Sequence, residues 1–216
     1  MKTTLFFCIA SLLFFSKSFA QEEPDFGFKK GDVFISGSLS YNKTNFENNN
    51  DFDEDRSRWV IQPRIGYFIN SNFAIGTRLS YSKFKSDNSQ DFSSDGSDVG
   101  IGIFGRYYFT PQKRFSIYAD ASASYFRGKS EQEFIFNDQI EITEIENDSY
   151  AVAISPGIQF FVSEKFALTS SIGSIEFSIS EGETINPDGE RFTRESDNFS
   201  INLGLDNIFL GILYRI

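Results

Sequence analysis

The chain has 216 residues, 30 acidic against 20 basic, a net charge of −10 and no histidine. That balance argues against a nucleic-acid partner, and without imidazole no side chain has an ordinary pKa suited to general-base work near neutrality. One Cys and no run of about eighteen apolar residues exclude a disulfide-held fold and a membrane-crossing helix, while 27 Phe and 9 Tyr in a chain with little helical periodicity point to one all-β domain.

Residues 1–20 read as an export signal. Lys2 supplies the positive start, residues 5–15 are an apolar run, and Ser18-Phe19-Ala20 puts small residues at the −3 and −1 positions of a cut before Gln21. The run is too short for an anchor. Cys8 lies inside it, so the mature domain, 21–216, would hold no cysteine. Losing Lys2 and Lys17 takes the net charge from −10 to −12. Residues 21–30 form a short polar lead.

Period-two alternation then marks eight strands. The first, 32–41, sets Val33, Ile35, Leu39 and Tyr41 against Ser36, Ser38 and Ser40. In the second, 58–69, Trp59, Ile61, Ile65, Tyr67 and Ile69 oppose Gln62, Arg64 and Gly66, and Pro63 on the apolar face predicts a local bulge. Asn70-Ser71-Asn72 is a tight turn into the third, 73–81, with Gly76, Arg78 and Ser80 on its polar face. The fourth and fifth form the clearest hairpin. Val99, Ile101, Ile103, Tyr107 and Phe109 precede Thr110-Pro111-Gln112-Lys113, and Phe115, Ile117, Ala119, Ala121, Ala123 and Tyr125 follow. Their other face carries Gly100, Gly102, Arg106, Ser116, Asp120, Ser122 and Ser124. Roughly ten residues is the length a tilted strand needs to cross a bilayer. The sixth strand is 150–162. The seventh, 166–180, changes phase near Ser174, and the eighth, 198–216, changes phase at Asp206-Asn207; both changes read as bulges. Residues 42–57, 83–98, 127–149 and 180–197 are predicted long polar loops. The short turns carry aromatics on either side, where a girdle at a membrane–water boundary belongs.

Eight strands joined alternately by short and long connections close into an antiparallel up-and-down barrel. A soluble lipocalin-type barrel would have the same count with its apolar face inward. Gly, Ser, Gln, Arg and Asp make a poor dry interior, so the apolar face is assigned to lipid, where closure is required because every backbone group must be paired. Both chain ends then lie at the short-turn, periplasmic end. The ending, Phe209-Leu210-Gly211-Ile212-Leu213-Tyr214-Arg215-Ile216, resembles the closing strand of small outer-membrane β-barrel proteins, in the broad group of OmpX-like and OmpA-like eight-stranded barrels. Residues 67–69, 74–76 and 211–214 resemble barrel proteins of Bacteroidetes-type bacteria. The resemblance spans the mature chain and rests on pattern. Such families usually end on an aromatic; here Tyr214 stands two residues before Ile216. It implies the bacterial outer membrane, with its lipids and the barrel-assembly machinery as partners. A monomer is expected.

Arg64, Arg78, Arg106, Asp120 and Asp206 all fall on the polar face. Charges inside a narrow barrel persist only if paired or wet, so they are expected to form a salt-bridge network that plugs the lumen, eight strands leaving an interior mostly filled by side chains. The alternative is a selectivity lining, making the protein a narrow porin-like channel for small solutes. Resemblance to barrel enzymes would imply His-assisted hydrolysis or acyl transfer. With no histidine to activate a serine, no enzyme activity and no cofactor are expected. Asp51, Asp53, Glu54 and Asp55 gather carboxylates as calcium requires but lack the glycine and distal Glu of an EF-hand loop. A solvated loop without metal is the reading there.

The predicted loops carry acidic residues in more than twofold excess over basic ones. In the third, Glu133-Phe134-Ile135-Phe136 and Ile140-Glu141-Ile142-Thr143 read as two strands around a turn. The fifth and sixth strands are therefore expected to continue as a protruding extracellular hairpin, with Phe134, Phe136, Ile140 and Ile142 as a binding surface for an extracellular protein partner. An exposed strand edge accepts a further strand, which suits a structural, surface-interaction or adhesion role. Shielding of the barrel mouth is the alternative for the same feature.

Overall fold

A computed structural model describes residues 26–46, 54–88, 92–136, 139–202 and 208–216; the predicted export signal lies outside the described residues. Ten antiparallel strands are present: β1 (Val33–Phe46), β2 (Glu54–Phe68), β3 (Phe73–Asn88), β4 (Phe92–Tyr108), β5 (Phe115–Phe136), β6 (Gln139–Phe161), β7 (Phe166–Ile172), β8 (Ser174–Ile185), β9 (Arg191–Asn202) and β10 (Ile208–Arg215). Pairing runs β5-β4-β3-β2-β1-β10-β7-β6, and β6 pairs back to β5, so eight strands close a ring. β8 continues β7 along the far part of β6, and β9 pairs with β8.

The excess over eight strands arises at Gly173, between β7 and β8, and at 203–207, between β9 and β10 and outside the described residues. At Gly173 the register on β6 slips by one residue, from Gly157↔Ser171 to Ile154↔Ile175, and the glycine has φ 72°, a conformation that costs an L side chain. This is the bulge expected near Ser174. The change of phase at Asp206-Asn207 lies outside the described residues, although β9 and β10 do stand on either side of it. The bulge expected at Pro63 is absent. Register runs in phase through it, from Ile61↔Tyr81 to Arg64↔Arg78, with only the two intervening rungs missing. A proline lacks the N–H to make a rung but need not insert a residue, and Gln62 Nε2 bridges the gap to Ser80 Oγ at 3.5 Å.

The strand faces are inverted relative to a soluble protein. Ile103 is 64% exposed and Leu39 66%, while Arg106 is 2% exposed and faces inward. So continuous an apolar exterior requires an apolar solvent. Aromatic rings border it at both ends. Trp59 and Tyr81 lie 5.2 Å apart, as do Tyr125 and Tyr150, on the outer border; Tyr107 with Phe109, and Phe166 with Tyr214, mark the short-turn border.

Much of what was predicted as four long loops is strand. β1 and β2 pair out to Phe46↔Glu54, β3 and β4 to Asp87↔Ser93, β4 and β5 to Phe92↔Phe134, and β6 and β8 to Glu144↔Ile185. Past the outer girdle both sheet faces meet water, so apolar alternation fades from the sequence while the backbone rungs continue. The β5–β6 hairpin is thus one part of a wall shared by β1–β6, β8 and β9, and its rungs run unbroken from Phe115↔Phe160 to Phe136↔Gln139.

The densest packing lies at the short-turn end, among Phe28, Phe34, Phe68, Tyr108, Phe161 and Leu213. Phe28 belongs to the lead expected to be a polar preamble. Its N–H donates to the Pro111 carbonyl at 3.0 Å, and its ring stacks on Phe68 at 4.2 Å and lies 5.2 Å from Phe161. The lead therefore corks the barrel. β1 pairs with β10 only from Phe34↔Arg215 to Ser38↔Gly211. Beyond Ser38, β1 has no neighbour on that side among the described residues, and no Cα of β9 comes within 8 Å of β1.

Candidate functional site

Strand pairing places Arg106 of β4 directly opposite Asp120 of β5, both pointing inward. Arg106 Nε donates to Asp120 Oδ1 at 2.6 Å and Nη2 to Oδ2 at 2.8 Å, a two-pronged pair. Arg64 reaches across from β2, and its Nη1 donates to Asp120 Oδ2 at 3.0 Å. One carboxylate thus holds two guanidinium groups, and both lone-pair sides of Asp120 are used. Removing either charge from so enclosed a place would strand the other.

An aromatic cage surrounds Arg106. Its guanidinium carbon lies 3.9 Å from the Tyr118 ring centre and 5.8–5.9 Å from those of Phe34, Phe104 and Tyr108. The Tyr108 hydroxyl donates to Gln159 Oε1 at 2.7 Å and accepts from Arg106 Nη1 at 3.3 Å. Glycines make room for these rings. A Cβ at Gly66 would strike Phe34, and one at Gly157 would strike the Tyr118 ring. The floor is therefore a filled layer of arginines, one aspartate and aromatic faces, with the Phe28 cork beneath.

Arg78 of β3 stands directly opposite Arg64 and differs from it in kind. It donates to Ser122 Oγ at 3.4 Å and lies 6.0 Å from the Phe126 ring centre, and its guanidinium has no carboxylate within ion-pair distance among the described residues. Of the predicted lumen charges, Arg64, Arg106 and Asp120 converge, Arg78 adjoins them within electrostatic reach of Glu176 and Asp120, and Asp206 lies outside the described residues. Tyr108, Tyr118, Gln159 and Phe28 were missed. Tyr108 and Tyr118 sit at even positions in strands whose odd positions are apolar, which was the available signal that two aromatics point inward and pair.

At the outer rim the four predicted hairpin residues do not form one surface. Phe134 faces the lumen side, 5.0 Å from Phe92, whereas Ile140 and Ile142 face outward and are exposed. Phe136 pairs through its backbone with Gln139; its side chain lies outside the described ones. Lower on the hairpin, Lys129 and Arg127 (3.2 Å) both donate to Glu146 and hold its carboxyl below the usual carboxylate range. Asp51 and Asp53 lie outside the described residues. Asp55 sits 3.7 Å from Lys43 Nζ, and among the described residues no three acidic or cysteine side chains gather as metal ligands.

The model of the outer membrane protein beta-barrel domain family matches residues 6–206. No curated protein matches the chain. Among solved structures, the outer membrane protein OprG from Pseudomonas aeruginosa is similar at 11% identity and a TM-score of 0.54, covering 88% of this chain and 98% of that one. The translocator domain of the autotransporter NalP from Neisseria meningitidis is similar at 9% identity and a TM-score of 0.51, covering 100% and 95%. A major outer membrane protein from Thermus thermophilus follows at 10% identity and 0.49, covering 86% and 99%. At such identities the first two support the fold alone.

Proposed function

Since the chain belongs to the outer membrane protein beta-barrel domain family, we propose that it is a non-catalytic, non-conducting barrel that presents an interaction surface outside the cell. The observation that carries this reading is the packed floor: among the described residues the Arg106–Asp120–Arg64 layer and the Phe28 cork occupy the short-turn half of the lumen. Function then falls to the outer wall, whose strand extensions are rich in Asp and Glu. The ring of eight strands supports placing the chain with the OmpX-like and OmpA-like group, and residues 1–20 supply its export.

The β5–β6 tip is the best-placed contact. On β6, residues 139–143 extend past the last rung to β8, and on β5, residues 135–136 extend past the last rung to β4. Among the described residues these edges carry no further rung, which suits an added strand, and exposed Ile135, Ile140 and Ile142 supply apolar contact on the outer face. The test is a pull-down from envelope or host-surface extracts with the intact barrel and with one lacking residues 131–146. Heat-modifiable gel migration checks that both are folded. Capture by the intact barrel alone supports the reading; equal capture by both overturns it.

A further inference from the structure

The floor carries more positive than negative charge. Arg64 and Arg106 share the one carboxylate of Asp120, so two positive charges less one negative leave +1. The next lumen charges outward have partners of their own. Arg58 pairs with Asp98 at 3.1 Å, and Arg78 stands within electrostatic reach of Glu176 as well as Asp120. An enclosed charge persists only with a counter-charge or water. Against Arg64 lies a hollow of about 20 Å³, room for one particle of about the size of a water molecule. Ser36, Ser38, Thr169 and Ser171 line it with hydroxyls, and Arg64 and Arg106 close one side.

Strand register brings these groups together. Ser36 of β1 stands opposite Arg64 of β2. Ser38 stands opposite Gly211 of β10, Gly211 opposite Thr169 of β7, and Ser171 follows two residues on. Gly211 keeps the space between the hydroxyls: a Cβ there would lie 2.9 Å from Thr169 Oγ1 and 2.8 Å from the Gly37 carbonyl oxygen. Arg64 uses Nη1 on Asp120. Its Nε and Nη2, and the four hydroxyls, make no hydrogen bond among the described residues. The Tyr118 hydroxyl, by contrast, is taken by the Ser170 carbonyl at 3.3 Å. The lining thus offers donors and positive charge, and no carboxylate is part of it. Such a set repels a cation and holds an anion. We propose that the hollow is a binding site for a monatomic anion, a halide such as chloride. It is too small for sulfate, phosphate or a carboxylate group, each of several heavy atoms. The ion accepts from Arg64 and the hydroxyls, offsets the surplus charge and leaves the floor a neutral layer.

The test uses the full mature barrel in lyso-phosphatidylcholine micelles. Urea unfolding is followed by emission of Trp59, the one tryptophan of the chain, in sodium chloride, sodium bromide or sodium methanesulfonate at one ionic strength, so that general screening is equal. An ion that binds only the folded barrel raises the midpoint as its concentration passes the dissociation constant. Chloride and bromide are expected to raise it above methanesulfonate. Thr169→Val keeps the side-chain shape and removes one hydroxyl, and Ser36→Ala removes another. Both leave every charge in place. Each is expected to weaken halide affinity about tenfold, the loss for one hydrogen bond to a charged group. The comparison of salts is made within each variant, so a change in basal stability does not enter it, and gel migration checks folding. Crystals grown with bromide are expected to show an anomalous peak beside Arg64, lost in the double variant. Equal midpoints in chloride and methanesulfonate overturn the proposal, and so does a halide effect that both variants leave unchanged. A bromide peak without a halide effect in solution is binding at crystal concentration only and overturns it as well. A halide effect that appears only after Asp206→Asn assigns the counter-charge to Asp206 and has the same consequence.

Discussion

Replacing Arg106 by Ala is the sharpest perturbation of the floor. The guanidinium is 2% exposed, makes both bonds of a two-pronged pair to Asp120, and packs against four aromatic rings. Breaking a buried pair by removing one partner costs about 3–5 kcal/mol. Asp120 would keep Arg64 at 3.0 Å, so the charge is not wholly stranded and the expected loss is near the lower end, about 3 kcal/mol. Arg106→Lys retains the charge but loses the fork and the stacking, and should fall between wild type and Ala. The assay is equilibrium urea unfolding in lyso-phosphatidylcholine micelles followed by Trp59 emission, with Lys129→Ala, from the exposed Lys129–Glu146 pair, as the comparison. If Arg106→Ala shifts the midpoint no more than Lys129→Ala does, the floor is not a cooperative charge layer and the reasoning fails.

Gly157→Ala should lower stability by about 1–3 kcal/mol in the same assay, because the added methyl collides with the Tyr118 ring that faces Arg106. Phe28→Ala should cost about 3 kcal/mol and expose the short-turn end to protease added from that side; unchanged digestion would show that the lead is not a cork. Glu146 should titrate below a free glutamate by carbon-detected NMR. Since its folded pKa is depressed by Lys129 and Arg127, its contribution is present above the unfolded pKa and lost as pH falls through the folded one; Lys129→Ala should move it back up.

Legibility in the sequence followed the solvent. Between the girdles one strand face meets hydrocarbon and the other the lumen, so alternation such as Val99, Ile101, Ile103 against Gly100, Gly102 reports both strand and orientation. Past Tyr125 or Tyr150 both faces meet water, the alternation weakens, and paired strand reads as loop. Local chemistry was readable at Gly173, where a phase change marks a bulge, and misleading at Pro63, where the lost rungs leave register intact. The lumen arginines could be named from their parity, but not which of them Asp120 would satisfy. That depends on cross-lumen distances set by the closure of the ring. The lead hid its role because Phe28 stands alone among polar neighbours, and one aromatic carries no period.

Planar-bilayer recording of the purified, refolded barrel tests the central claim most directly. With the Arg106–Asp120–Arg64 layer and Phe28 in place, no steady conductance is predicted, and Arg106→Ala combined with Phe28→Ala should introduce one. A large steady conductance from the unaltered barrel would contradict the sealed floor and put a porin-like solute channel in its place.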